Sequence, residues 1–395
     1  MEPGPHPYPA PPGYGAWNAQ PVPGQAPGDP FHPQGVPGYP PGVPGYPPGV
    51  PGYPPGVPGY PPGWPTAAPA KPSALPVEER EYHEFFRAPR FRWWKPVLSL
   101  LMFAALWFGA AVVFPGIALA VDLATGRLQL SDLNGPAEEV VKKVMTPLGF
   151  TANNIALALS IPAAGLTAWA LHGQRPRWMS SIAGGFRWGL LGRFVLVAGP
   201  IFLLSFGLEI VLGGPPEFRW NADSTFLILA ILVTTPFQAA GEEYALRGLV
   251  ARAVGSWFGW RRLGLVVAAV LSSVLFMVLH NANNPWLNTY YFTVGMICSV
   301  LAWRTGGLEA PVALHVCNNL VSEITLPFGG LQSMFDRGPD SAGPLVLLQL
   351  AFTFSVMAGM LWLAHRLGLS RTAAPGRPQP PPVQEVFWNS SHTIA

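Results

Sequence analysis

Apolar residues along this chain come in long blocks rather than in alternation. Eight runs of about 18–25 residues lie roughly at 97–121, 150–171, 194–213, 224–246, 263–281, 287–304, 308–328 and 344–366. Each is long enough for a helix to cross the hydrocarbon core of a bilayer. They predict an all-α fold, a polytopic integral membrane bundle of about eight transmembrane helices occupying residues 97–368. The flanks read differently. Residues 1–76 hold 27 of the 48 prolines, and GVPGYPP repeats four times in tandem from Gly35, Gly42, Gly49 and Gly56. Such a stretch cannot bury a core and predicts a disordered Pro/Gly/Tyr-rich tail with polyproline II character. It reads as a tether, or as a docking array for a cytoplasmic partner with an aromatic-lined groove. The seven-residue recurrence of its tyrosines is no coiled coil, because proline excludes helix. Residues 77–96 read as a juxtamembrane anchor carrying Arg87, Arg90, Arg92, Trp93, Trp94 and Lys95, and 369–395 as a disordered cytoplasmic tail.

Composition strengthens the membrane reading. Only 11% of residues are charged, and mean hydropathy is +0.29 in spite of the polar flanks. A net charge of +3 offers no basic surface for nucleic acid. Cys298 and Cys317 both fall in apolar runs and predict no disulfide framework. The opening MEPGPHPYPAPPG lacks the features of a signal peptide. Basic residues set the orientation. Those of 87–95, of the loop 172–193 (Arg175, Arg177, Arg187, Arg193), of 252–262, and Arg304, Arg366, Arg371 and Arg377 all fall on one side. This places both termini in the cytoplasm. The abundance of Arg over Lys, with much Ala, Gly and Pro, suits a GC-rich bacterial genome and hence a bacterial plasma membrane. On the other side, AEEVVKKV (137–144) has Glu138–Lys142 and Glu139–Lys143 at helical spacing and predicts a short interfacial helix.

Ionisable groups inside a membrane are costly and by default mark function. GEEYALRG (241–248) puts Glu243 and Arg247 four residues apart, on one helical face, where they can pair. Glu242 is turned about 100° away and is left free to act as a general base. FMVLH places Phe276 and His280 one turn apart; alone, a histidine there is as readily an interfacial residue. HVCNN places His315 and Asn319 on one face, continued by Glu323, an arrangement that an interhelical hydrogen-bonding pair would also explain. Antiparallel packing brings Glu242 and His280 to similar depth, while His315 counts as shallower.

EExxxR, FxxxH and HxxxN, in that order on separate spans, resemble the CPBP family, the type II CAAX prenyl endopeptidases and bacteriocin-processing (Abi) proteases. The resemblance covers about residues 175–330. It implies an intramembrane glutamic endopeptidase that needs no cofactor. Glu242 would be the base, assisted by His280; His315 and Asn319 would form the oxyanion site; Glu243, Arg247 and Phe276 would support them. Substrates implied are peptides or membrane proteins, in a CAAX-type reaction, peptide maturation or bacteriocin immunity. Three alternatives stand beside it. Zinc could be held by Glu, two His and Asn, although there is no HExxH and HEFFR (83–87) lacks the second histidine. A non-proteolytic scaffold would recruit partners through the proline-rich arm. A proton-coupled transporter would also use intramembrane carboxylates, but the two halves show no repeat.

Overall fold

The computed structural model describes residues 71–378 except Gln332, Ser333, Phe335 and Asp336. The tandem repeats and the last seventeen residues lie outside the described residues. Eight principal helices form: α1 (Lys95–Ala124), α2 (Pro147–His172), α3 (Trp188–Gly213), α4 (Ser224–Gly255), α5 (Arg261–Leu279), α6 (Pro285–Thr305), α7 (Glu309–Ser322) and α8 (Val346–Arg366). Six of them, all but α6 and α7, are long and apolar enough to cross a membrane. The protein is therefore an all-α integral membrane protein, with a correction to the expected eight spans. The run at 308–328 is divided. Its helix stops after 14 residues at Ser322, and a separate short turn follows at Leu326–Gly329. α6 has the length, 21 residues, but its first half carries Asn288, Thr289, Tyr290 and Tyr291.

Local chemistry sets the helix ends. Proline occupies the first turn of α1, α2 and α6, where its missing N–H costs nothing. Asn284 caps α6 by accepting from the N–H groups of Trp286 and Leu287 at 2.8 and 3.1 Å. α6 stops at Gly306, whose φ of 65° is left-handed; a Cβ there would meet Ile182 Cδ1 and Ser370 O at 2.8 Å. The short helix Ala137–Val144 forms, with Lys142 3.1 Å from Glu138, but Lys143 turns to Asp132 at 3.8 Å rather than to Glu139.

Of the apolar clusters among the described residues, the two largest hold most of the bundle. α3, α6, α7 and α8 meet on Phe194, Phe202, Cys298, Leu301, Leu314, Val356 and Met360. The second closes the basic end. There Tyr82, Phe85 and Phe86 pack against Met179, Leu249 and Leu308. The expected anchor thus divides in two. Trp93 stays 72% exposed, whereas Phe85 has no exposed surface. Arg252, fully buried, sits 3.9 Å over the Tyr82 ring. Arg80–Glu81 (β1) pairs antiparallel with Thr372–Ala373 (β2), in the stretch read as a tail. The outer faces, such as Leu101, Phe108, Val112 and Ile117 of α1, are apolar and exposed, as a lipid-facing surface requires.

α2 and α4 approach closely. Gly241 stands against the Leu157 carbonyl with no room for a side chain, and Asn154 donates to Thr234 at 2.9 Å across the same contact. Gly241→Leu is expected to force these helices apart and to cost about 1–3 kcal/mol or more. Thermal unfolding of the full chain in detergent measures it; an unchanged transition would contradict the close packing.

Candidate active site

α4 changes its winding at the two glutamates. It is α-helical from Ser224 through Pro236 to Glu243, π-helical over Tyr244–Val250, and α-helical again to Gly255. Pro236 lies within the α-helical part, and the change of winding comes at Tyr244, directly after Glu243. Wide turns of this kind recur at functional sites.

Glu243 has no exposed surface. Its Oε1 accepts from Arg247 Nη1 at 3.0 Å and from His315 Nδ1 at 2.8 Å. Arg247 goes on to donate to the Gly295 carbonyl of α6 at 2.9 Å and lies 5.1 Å over the Phe276 ring of α5. One carboxylate is thus spent on binding four helices together. Glu242 is held differently. Its Oε1 accepts from Gln238 Nε2 at 2.5 Å. Its Oε2 has no hydrogen-bond partner and lies 3.6 Å from His315 Nε2. His315 therefore reaches both glutamates and is not shallower than the pair, as its position in the chain suggested.

Gln238 was not anticipated. Its amide donates to Glu242 and accepts from Asn319 Nδ2 at 3.1 Å, so it links the first and third motifs. The available signal was its place one helical turn before Glu242, on the same face. Glu323, on the continuation of the His315–Asn319 face, accepts from Thr235 Oγ1 of α4 at 2.6 Å. His280 follows the last residue of α5. Its Nδ1 lies 2.8 Å from the Phe276 carbonyl and must donate, because a carbonyl only accepts. In the neutral ring this leaves Nε2 as an acceptor. The ring stacks on Tyr291 at 4.0 Å.

Glu242, Phe276, His280 and Asn319 line one cavity of about 1160 Å³. His315 lies beside it, 5.6 Å from the Phe276 ring. All seven residues singled out from the sequence come together here. The chemistry available is a carboxylate with one oxygen that accepts no hydrogen bond, an imidazole with an open nitrogen, and amide donors. Among the described residues, the only His/Cys/Asp/Glu trio whose ligand atoms converge is elsewhere, at Glu81, His83 and Glu84. There Glu84 is already engaged by Arg261 at 2.7 Å and Arg80 at 3.4 Å. Burial pushes the His83 pKa down, so its ring favours the neutral form.

Comparison with known proteins bears on the same stretch. Residues 224–321, from the start of α4 almost to the end of α7, match the family described as type II CAAX prenyl endopeptidase Rce1-like. The uncharacterized protein YyaK of Bacillus subtilis (strain 168) is 28% identical over 121 residues, 28% of this chain and 39% of that protein. An uncharacterized 24.3 kDa protein of Escherichia coli is 31% identical over 135 residues, 33% of this chain and 60% of that protein. The chain thus spans between two and three fifths of the length of these curated relatives. No solved structure matches it. The matched segment carries all three motifs and the whole of the buried ionic cluster, and over it the chain is similar to the family described as type II CAAX prenyl endopeptidase Rce1-like.

Proposed function

We propose that this protein is an intramembrane endopeptidase in which Glu242 activates water for attack on a peptide carbonyl. The observation that carries this reading is the contrast between the two glutamates. Glu243, with no exposed surface, is tied through Oε1 to Arg247 and His315, while Glu242 lines the cavity, its Oε2 accepting no hydrogen bond and lying 3.6 Å from His315 Nε2. Glu242 takes a proton from the water as the oxygen bonds to the carbonyl carbon. His280, with Nε2 open, assists in holding that water. Asn319 supplies an N–H to the carbonyl oxygen as it gains negative charge, and His315 adds its field from beside Glu242. Collapse of the adduct breaks the C–N bond, and the proton on Glu242 passes to the leaving amine. No covalent enzyme intermediate and no metal take part. The CAAX-type, peptide-maturation and immunity roles all use this same step. The protein is placed in a bacterial plasma membrane with both termini cytoplasmic, so that the proline-rich arm meets cytoplasmic partners.

Three outcomes test this. Glu242→Gln is expected to abolish cleavage and leave the fold intact, whereas Glu243→Gln strands Arg247 and His315. The latter should cost about 3–5 kcal/mol, as breaking buried pairs does. Peptide termini compared between cells expressing each variant, with thermal unfolding of the purified chains, separate the two. If Glu242→Gln leaves all termini and function unchanged, the scaffold reading replaces this one. Asn319→Ala should lower turnover about 10²–10³-fold, the effect of losing one oxyanion donor. Finally, activity should survive a zinc chelator such as 1,10-phenanthroline; loss of activity restored by zinc would establish a metal site.

A further inference from the structure

The cavity is closed at one end of the bundle and open at the other. The closed end is the basic one. There Tyr82, Phe85, Phe86, Met179, Leu249 and Leu308 are each 2% exposed or less. Polar bonds lock the same layer. Tyr82 Oη donates to the Met179 carbonyl at 2.5 Å, and Arg187 meets Glu309 at 2.6 Å. Nothing of peptide size passes this layer unless residues 80–86 leave the bundle.

The open end is built from opposite helix termini. Glu209 lies near the end of α3, Gly214 just beyond it, Ser322 at the end of α7 and Gln349 in the first turn of α8. All four are exposed and all line the cavity. Glu209 and Gln349 form part of its rim, 3.2 Å apart. Residues Leu100, Ala104 and Trp107 of α1 and Leu275 and Leu279 of α5 form an apolar side wall of the same cavity. Leu279, Leu275 and Ala104 are exposed on the flank of the bundle.

Charge identifies the two ends. The closed end gathers Arg87, Arg90, Arg92, Lys95, Arg175, Arg177, Arg261, Arg262 and Arg366. At the open end the cations are matched by acids, as in Arg127–Asp223 at 2.7 Å and Arg219–Glu217 at 2.9 Å. An excess of Lys and Arg marks the cytoplasmic side. We propose that the substrate is a secreted or membrane-anchored polypeptide cleaved at the extracytoplasmic face, its scissile segment entering between the ends of α3, α7 and α8 and its apolar flank lying between α1 and α5. A lipidated C-terminus presented from the cytoplasm cannot reach Glu242 by this route. The inference rests on the endopeptidase reading for its chemistry and on geometry for its sidedness.

The test has two arms. Cys298 and Cys317 are free and buried, so the wild-type chain gives the labelling background. Pro216→Cys, on the cavity wall at the open end, and Arg262→Cys, exposed at the basic end, are made in the full chain. Each is treated with a membrane-impermeant sulfonated maleimide in right-side-out and in inverted vesicles. Pro216→Cys is expected to react in right-side-out vesicles and lose that reaction in inverted ones, with Arg262→Cys the reverse. Reaction of Pro216→Cys in inverted vesicles alone, or in neither while it reacts in detergent, overturns the proposal. In the second arm, termini lost in Glu242→Gln cells are mapped. Extracytoplasmic positions support the proposal, and cytoplasmic positions overturn it while leaving the endopeptidase reading intact. If no termini are lost, the endopeptidase reading fails, and the substrate assignment fails with it. The labelling result still stands as a measure of sidedness.

Discussion

A fully buried carboxylate in a membrane-crossing helix can persist only if neighbouring groups answer its charge. Glu243 is answered twice, by Arg247 one turn on and by His315 from α7. Arg247 brings its own demand, which the Gly295 carbonyl of α6 and the face of Phe276 on α5 meet. In lipid no water is at hand to replace any of these partners, so removal of one leaves the others exposed to the full cost of desolvation. The cluster therefore sets the register of α4, α5, α6 and α7 together. Packing alone would not, since apolar side chains in a bilayer gain little by leaving lipid for one another.

That commitment of Glu243 is what leaves Glu242 available. Adjacent residues on a helix point about 100° apart, so engaging one does not engage the other. Glu242 still needs orientation, and Gln238 supplies it from the preceding turn while its carbonyl end holds Asn319. The Glu242 carboxylate and the Asn319 amide are thus positioned by the same side chain. A shift of α7 relative to α4 would disturb both, which joins the integrity of the fold to the geometry of the chemistry.

The spans and the polar groups within them were legible because burying an ionisable group in lipid is expensive enough to leave few ambiguous cases. EEYALR, FMVLH and HVCNN stand out against apolar surroundings, and the structure gathers them at one cavity. What was not legible depends on tertiary contact. Hydropathy cannot separate a lipid-facing leucine from a packed one, so the run at 308–328 read as one span, whereas α7 ends at Ser322. Residues 80–86 carry charges between their aromatics and read as an interfacial anchor. They are buried because Arg252 and Met179 accept them, which no local pattern records. Gln238 was missed because a single amide in an apolar run is cheap to satisfy within its own helix.

The closed basic end has a further consequence for the chemistry. In the proposed reaction, with that route sealed, water and peptide would share the open end, and an extended segment lying in the cavity would displace solvent from around Glu242 as it binds. The space of about 1160 Å³ is at the upper end for a small-molecule pocket and suits several residues of an extended chain. With water displaced, the local dielectric would fall, and the fields of Glu242, His315 and the Asn319 amide would act at greater strength on a carbonyl held between them. The proposed hydrolysis still requires one water at Glu242 Oε2. That oxygen accepts no hydrogen bond from the protein, its near neighbour His315 Nε2 standing 3.6 Å away, so a water bound there would not displace a side-chain hydrogen bond.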